Sequence, residues 1–204
     1  MDSKEHWERV YGAKRPDTVS WYQEHAERSV RLIVQTGVPL TAGIIDVGGG
    51  ASTLVDDLVA RGYSDVTVLD LSEAALAHAR ARLGETTAVT WLAVDITRAT
   101  LPVERYDVWH DRAVFHFLTN AADRDAYVAN VLRSVRPGGH VIVATFAEDG
   151  PERCSGLPVV RYRPDQLHGE FGDAFDLRSH EREEHQTPGG AIQSFVYCYC
   201  RKVG

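Results

Sequence analysis

Ile44-Ile45-Asp46-Val47-Gly48-Gly49-Gly50-Ala51-Ser52-Thr53-Leu54 is the stretch whose reading decides the fold. An apolar, β-branched run holding one acid gives way to three glycines and then to a helix start, the outline of a strand–turn–helix nucleotide site. Gly48 and Gly50 let backbone approach a ligand where a Cβ would collide. The Gly48-x-Gly50 spacing also opens dinucleotide sites, but two details point elsewhere. A dinucleotide fingerprint takes Gly or Ala at position 53 for tight helix–strand contact, and Thr53 fits less well. Asp46, at the strand end just before the glycines, repels a pyrophosphate and suits a ligand with a positive group.

Two further acids follow at strand ends. Val66-Thr67-Val68-Leu69-Asp70-Leu71 is a short β-branched run ending in Asp70, where a doubly wound fold sets a carboxylate against ribose hydroxyls. Val89-Thr90-Trp91-Leu92-Ala93-Val94-Asp95-Ile96 repeats the device. A carboxylate at Asp95 can accept from an adenine amino group while Ile96 lies on the ring. Each acid alone reads as a solvated loop residue; three at the ends of successive apolar strands read as a ligand-binding edge.

With these motifs the chain resembles the class I S-adenosylmethionine-dependent methyltransferases, from Trp7 to Cys200. The resemblance implies a Rossmann-like methyltransferase fold: α/β, with a doubly wound, seven-stranded, mainly parallel sheet and a C-terminal antiparallel hairpin. It implies S-adenosyl-L-methionine as cofactor. Asp46, Gly48, Gly49, Gly50 and His110 then lie at its amino-acid moiety, Asp70 and Leu71 at ribose, and Asp95 and Ile96 at adenine. The aromatic N-terminus, His6-Trp7-Glu8-Arg9-Val10-Tyr11 and Val19-Ser20-Trp21-Tyr22-Gln23, looks like that of the elongation factor lysine methyltransferases and their bacterial relatives. In those enzymes aromatics matching Trp7, Tyr11 and Trp21 contact the cofactor. The bland alternative is a hydrophobic flap over one end of the sheet, since aromatics are costly to leave in water.

Composition narrows the class. At 204 residues, with 44% hydrophobic and 25% charged residues, the chain is expected to be one soluble domain. A net charge of −7 opposes general nucleic-acid binding, which needs a basic face. No apolar run approaches the ~20 residues of a membrane span. Met1-Asp2-Ser3-Lys4-Glu5 lacks the basic and apolar regions of an export signal, and three cysteines make no disulfide framework, so a cytoplasmic location is expected.

Residues 1–37 read as a flap and helix, 38–147 as the cofactor-binding core, and 148–204 as an acceptor-side loop, short helix and terminal hairpin. Residues 1–19 read as irregular. Ser20 is expected to cap a helix, with Gln23 at the capping-box position and Gly37 as its stop. Strands are expected at about 43–48, 66–70, 89–94, 106–110 and 140–146. Helices are expected to about Ala60, from Ser72 to Gly84, and from about Asp123 to Val135, where Arg136-Pro137-Gly138-Gly139 ends the run. Pro164 opens a short helix. Runs at about 175–186 and 191–201, joined by Thr187-Pro188-Gly189-Gly190, can pair only antiparallel. Dinucleotide-binding domains lack that hairpin, so it argues with Thr53 against a nicotinamide oxidoreductase.

Methyl transfer from a sulfonium needs an in-line nucleophile, water exclusion and at most one base. Candidates cluster in Tyr106-Asp107-Val108-Trp109-His110-Asp111-Arg112-Ala113-Val114-Phe115-His116-Phe117. By the resemblance this turn lies beside the methyl group. His110, Asp111 and His116 are each read as groups that take or orient a proton, and Arg112 as a binder of a carboxylate on cofactor or substrate. Alternatively, Asp111 and Arg112 form a surface pair and the histidines are core. The elongation-factor enzymes carry a lysine and small residues here, so Arg112 and His116 depart from their pattern. No Asn-Pro-Pro-Tyr run marks a DNA base methyltransferase.

Three thiols would suit a metalloid acceptor, but Cys198 and Cys200 share one face of a strand buried on both sides, where cysteine acts as a small hydrophobe. Cys154 has no such explanation from sequence. His180 and His185 have opposite parity, and no metal set emerges. The reading is a methyltransferase acting on a small molecule, with a protein lysine or terminal amine as alternative acceptor and a non-catalytic cofactor-binding subunit as a second alternative.

Overall fold

The computed structural model describes residues 3–13 and 15–204. In chain order these form α1 (Ser3–Ala13), α2 (Glu27–Gln35), β1 (Ile44–Val47), α3 (Leu54–Ala60), β2 (Val66–Asp70), α4 (Glu73–Leu83), β3 (Val89–Ala93) and β4 (Tyr106–Arg112). After them come α5 (Ala121–Ser134), β5 (Val135–Phe146), the two-residue strands β6 (Arg153–Cys154) and β7 (Leu157–Pro158), α6 (Pro164–Gly169), β8 (Phe175–Gln186) and β9 (Ile192–Lys202). The main sheet has seven strands in the order β3-β2-β1-β4-β5-β9-β8. Strands β1 to β5 pair in parallel, and β9 enters antiparallel between β5 and β8, as the hairpin signal requires.

Alternation along the strands builds two cores. Ile44, Val66, Val68, Val108 and Ile142 face Ile33 of α2, Leu54 and Leu58 of α3 and Leu76 of α4. Their neighbours Ile45, Leu69, Trp109, Val141 and Val143 face Tyr127 and Val131 of α5 and Leu167 of α6. Each such fully buried aliphatic or aromatic side chain contributes about 1.5–3 kcal/mol, so the layered core dominates local preference.

The α4 ends follow the sequence signals. Ser72 Oγ accepts from Ala75 N (3.1 Å), and Gly84 adopts φ 72° at the stop. Two N-terminal expectations are corrected. Residues 3–13 are not irregular: Trp7, Val10 and Tyr11 fall on one helical face and α1 forms. Ser20 does not cap a helix, and α2 begins at Glu27. The intervening chain is claimed by tertiary bonds: Asp57 of α3 accepts from Ala26 N (3.0 Å) and pairs with His25 Nδ1 (2.8 Å), and His185 Nε2 meets the Ser20 carbonyl (2.8 Å). Strand β5 also starts earlier than expected, pairing Val135 with Tyr106 before an irregularity restores register at His140.

Candidate active site

A cavity of about 570 Å³ opens at the C-terminal ends of β1, β2, β3 and β4, the edge where open α/β sheets bind ligands. It is lined by Asp70, Leu71, Asp95, Ile96, Thr97 and Asp123 and by Trp7, Trp21, Arg112, Phe117 and Cys154. Gly48 and Val114 lie in its wall, and a smaller space of about 50 Å³ continues past Asp46, Gly49 and His110.

The glycine turn serves the acids beneath it as much as any ligand. A Cβ on Gly49 would stand 2.5 Å from Asp46 Oδ2, and one on Gly50 would stand 2.5 Å from Asp70 Oδ2. On Gly48, at φ +71°, it would meet Val114 Cγ2 at 1.9 Å. Gly50 is among the lining residues of neither space and is held against Asp70 instead. Thr53, out of place in a dinucleotide fingerprint, donates its hydroxyl to the Gln23 carbonyl (3.0 Å) and fastens the flap to α3.

Asp46 and Asp70 differ in partners. Asp46 Oδ1 meets His110 Nδ1 at 2.7 Å, and His110 Nε2 meets Ser29 Oγ at 2.9 Å. Its Oδ2 is buried without a partner, the state of an acceptor that a bound donor completes. Asp70 Oδ1 accepts from Ser72 N (2.8 Å). Burial, opposed by the Ser72 N–H and reinforced by nearby Asp46 and Glu8, pushes the Asp70 carboxyl up to about 7. Asp95 Oδ1 accepts from the Thr97 N–H (2.9 Å) and hydroxyl (2.7 Å), which orients its carboxylate at the cavity wall beside Ile96.

The flap is fixed over this edge. Glu8 of α1 accepts from Ser72 Oγ (3.1 Å), Glu73 N (2.8 Å) and Ala74 N (3.2 Å), using the N–H groups and positive end of α4. These bonds hold its carboxyl below the usual range against the effect of burial. Trp7 is set edge-on to Trp21 (5.7 Å) and to Phe117 (5.2 Å), with Tyr11 6.2 Å from Trp21. Trp7, Tyr11 and Trp21 are therefore brought together in the cavity wall. Sequence reasoning missed Glu8, although a lone acid among aromatics, facing the capping serine of the next helix, is the available signal.

The turn after β4 is where the structure revises the sequence reading. Asp111 lies outside the cavity wall; its buried carboxylate accepts from Val114 N (2.9 Å), Phe115 N (3.1 Å) and the Tyr127 hydroxyl (2.7 Å). It pins the turn, and burial pushes it up to about 6. His116 likewise lies outside the cavity wall. Its ring is buried between Phe117 and Phe146, and Nδ1 accepts from Phe146 N (3.3 Å). Burial, with Arg112 nearby, pushes it down to about 3, so it is neutral. The turn sends Phe115 and His116 inward and leaves Val114 and Phe117 at the cavity.

Arg112 does reach the cavity wall. Its side chain is 9% exposed, its Nε donates to the Tyr197 hydroxyl (3.0 Å), one Nη to the Trp21 carbonyl (3.2 Å) and the other to Glu183 (3.2 Å), above the Phe195 ring. Cys154 lines the same cavity, buried, its thiol pushed up to about 12 by burial. Cys198 and Cys200 are buried on one face of β9 with sulfurs 3.2 Å apart, away from the cavity. Among the described residues no group of acids, histidines and cysteines is arranged to hold a metal.

Residues 44–139 match the methyltransferase domain family. The chain is 31% identical over 140 residues to the biotin biosynthesis bifunctional protein BioCD of Bordetella avium, covering 67% of this chain and 29% of that protein. It is 30% identical over 84 residues to EEF1A lysine methyltransferase 2 of Mus musculus, covering 37% and 34%. The matches thus span about a third of these relatives. The N-methyltransferase NodS of Bradyrhizobium japonicum, solved with S-adenosylhomocysteine, shares the fold at a TM-score of 0.73 and 15% identity, over 98% of this chain and 99% of that one. Residues 44–139 thus match the methyltransferase domain family, and the seven-stranded sheet with its inserted hairpin carries the fold shared with the S-adenosylhomocysteine-bound methyltransferase.

Proposed function

We propose that this chain transfers the methyl group of S-adenosylmethionine to a small-molecule acceptor held under the aromatic flap. The carrying observation is the cavity itself. At about 570 Å³ it falls in the ~300–1,000 Å³ class of small-ligand sites, and it takes a cofactor and a compact acceptor. Asp95 and Ile96 would hold adenine, and Leu71 and the Asp70 carboxylate the ribose. The orphaned Oδ2 of Asp46, beside the Gly48–Gly50 turn and braced by His110, would accept from the ammonium. The cofactor supplies an electrophilic methyl on a sulfonium. The chain's own part is to position and to exclude water: Trp7, Trp21 and Phe117 wall the acceptor end, and Glu8 holds α1 across it.

The net charge of −7 supports acceptors other than nucleic acid. The sparse, free cysteines support a cytoplasmic setting; among the described residues no helix is long and apolar enough to cross a membrane. A protein amine is the second reading, favoured by the similarity to the mouse lysine methyltransferase. Incubating the protein with methyl-labelled cofactor and separate pools of small metabolites and of proteins, with mass detection, tests the choice. Label in small products supports the proposal; label only in protein moves it to the second reading, and cofactor binding without any product in either pool would mark a non-catalytic subunit.

A further inference from the structure

Arg112 ends β4 in a row of directly paired residues that runs through Ala144 of β5 and Tyr197 of β9 to Glu181 of β8. Residues paired this way share a face of the sheet, and Ala144 leaves the way across that face open to a long side chain. The guanidinium lies 4.2 Å from the centre of the Phe195 ring and meets partners from three segments. Its Nε donates to the Tyr197 hydroxyl, one Nη to Glu183 Oε2 and the other to the Trp21 carbonyl. Glu183 is as fully engaged: Oε2 also accepts from the Tyr197 hydroxyl (3.0 Å), and Oε1 accepts from Gln23 Nε2 (3.0 Å). With side chains 9% and 11% exposed, the two charges neutralise each other. A pair so placed is a poor anion site. It is also a weak source of stability, since a buried ion pair can be exchanged for well-packed apolar side chains at little cost.

What the pair holds is a strip of irregular chain. Residues 19–26 form neither helix nor strand, and their backbone is fastened from outside. The Ser20 carbonyl accepts from His185 Nε2, the Trp21 carbonyl from Arg112 and the Gln23 carbonyl from Thr53. Trp21 lines both the large cavity and the smaller space beside Asp46, and Trp7 and Tyr11 of α1 meet its ring edge-on. Resting on the methyltransferase reading, we infer that Arg112 is a positioning residue: with Glu183 it sets Trp21 in the wall of the cofactor cavity, which gives the terminal hairpin a part in cofactor binding. The rigid guanidinium plane suits the task, because it aims separate N–H groups at β9, β8 and the flap at once, where a lysine offers one point of charge.

The test separates position from stability. Arg112→Met/Glu183→Leu removes both charges together, so neither is left buried alone. The protein is isotope-labelled at the indole nitrogens of its four tryptophans and read by NMR, with Trp21→Phe assigning the Trp21 signal. Trp109 is the internal control for folding, because its Nε1 donates to the Tyr127 hydroxyl (2.8 Å) in the core on the other face of the sheet. In the double variant the Trp109 signal should stay in place and the Trp21 signal should move toward that of free tryptophan. S-adenosylhomocysteine should bind about tenfold more weakly, the loss expected when the binding-competent arrangement is populated about a tenth of the time. If the Trp109 signal moves as well, Arg112→Gln/Glu183→Gln, which keeps polar partners for Tyr197 and Gln23, is read in the same way; loss of the Trp109 signal in both variants makes the pair a folding requirement and overturns the inference. An unmoved Trp21 signal overturns it too: with affinity kept, the pair only fills the core, and with affinity lost, Arg112 acts on the cofactor directly. A moved Trp21 signal with native affinity also overturns it. Failure of the unaltered protein to bind S-adenosylhomocysteine would refute the methyltransferase reading itself, while the Trp21 signal would still show whether Arg112 sets that residue.

Discussion

Replacing Asp70 by Asn tests the cofactor site through affinity and through pH. Asn keeps the shape and the acceptor for Ser72 N but removes the charge that ribose hydroxyls would donate to. A charge-assisted hydrogen bond contributes about 1.5–3 kcal/mol, so S-adenosylhomocysteine should bind about one to two orders of magnitude more weakly at pH 8. The native carboxyl, pushed up to about 7 by burial, must be ionised to accept from ribose. Native affinity should therefore weaken about tenfold between pH 8 and pH 6, because one pH unit below its pKa only about a tenth of an acid is ionised. Calorimetric titrations of both proteins across that range give the comparison, and Asp70→Asn should be flat in pH. Stability gives an independent sign. A carboxyl raised from 3.8 to about 7 binds its proton more tightly in the folded state, so its contribution is complete below 3.8 and is lost as pH rises to about 7. The melting temperature of the unliganded Asn variant should gain on the native protein across that window and hold the gain above it. Unchanged affinity, or equal pH dependence in the two proteins, would refute the assignment of ribose to Asp70.

Three further outcomes follow from the same geometry. Glu8→Gln weakens the docking of α1 on α4, so hydrogen exchange over residues 5–13 should accelerate and S-adenosylhomocysteine affinity fall severalfold; unchanged exchange would mean the aromatic contacts alone hold the flap. Gly48→Ala puts a Cβ into Val114 at a positive φ, so cofactor binding should be lost with about 1–3 kcal/mol of stability, read by calorimetry and denaturant melts. His116→Gln should lower stability while turnover, once an acceptor is found, changes by less than about tenfold and shows no histidine ionisation in its pH profile; a loss near the ~10²–10⁴-fold of a general base would restore His116 to the chemistry.

Much of the core was legible because its signals are local. Asp46, Asp70 and Asp95 each close an apolar run, Ser72 and Gly84 bracket α4, and the Pro188-Gly189 join allows only a hairpin. The flap was half legible: its aromatics were visible, but Trp7, Val10 and Tyr11 also carried the helical spacing that makes α1. Ser20 misled because Ser-x-x-Gln is a helix signal only when the next residues are free, and Asp57, more than thirty positions on, takes the Ala26 N–H. His116 and Asp111 misled for a related reason. Histidine titrates near neutrality and a carboxylate can orient it, but the sequence did not show that Asp111 curls the turn so that Phe115 and His116 face the core while Val114 and Phe117 face the cavity. Arg112 could be named as an anion binder, but its direction depends on Glu183 and Tyr197, which arrive only with the terminal hairpin.

The central claim is tested most directly by titrating the protein with S-adenosylhomocysteine and, separately, with NAD in a calorimeter. The account predicts saturable binding of S-adenosylhomocysteine at one site, because an orphaned Asp46 oxygen and a cavity-facing Asp70 suit an ammonium and a ribose. It predicts no saturable heat with NAD, whose pyrophosphate would face Asp46. Saturable NAD binding with no response to S-adenosylhomocysteine would contradict it.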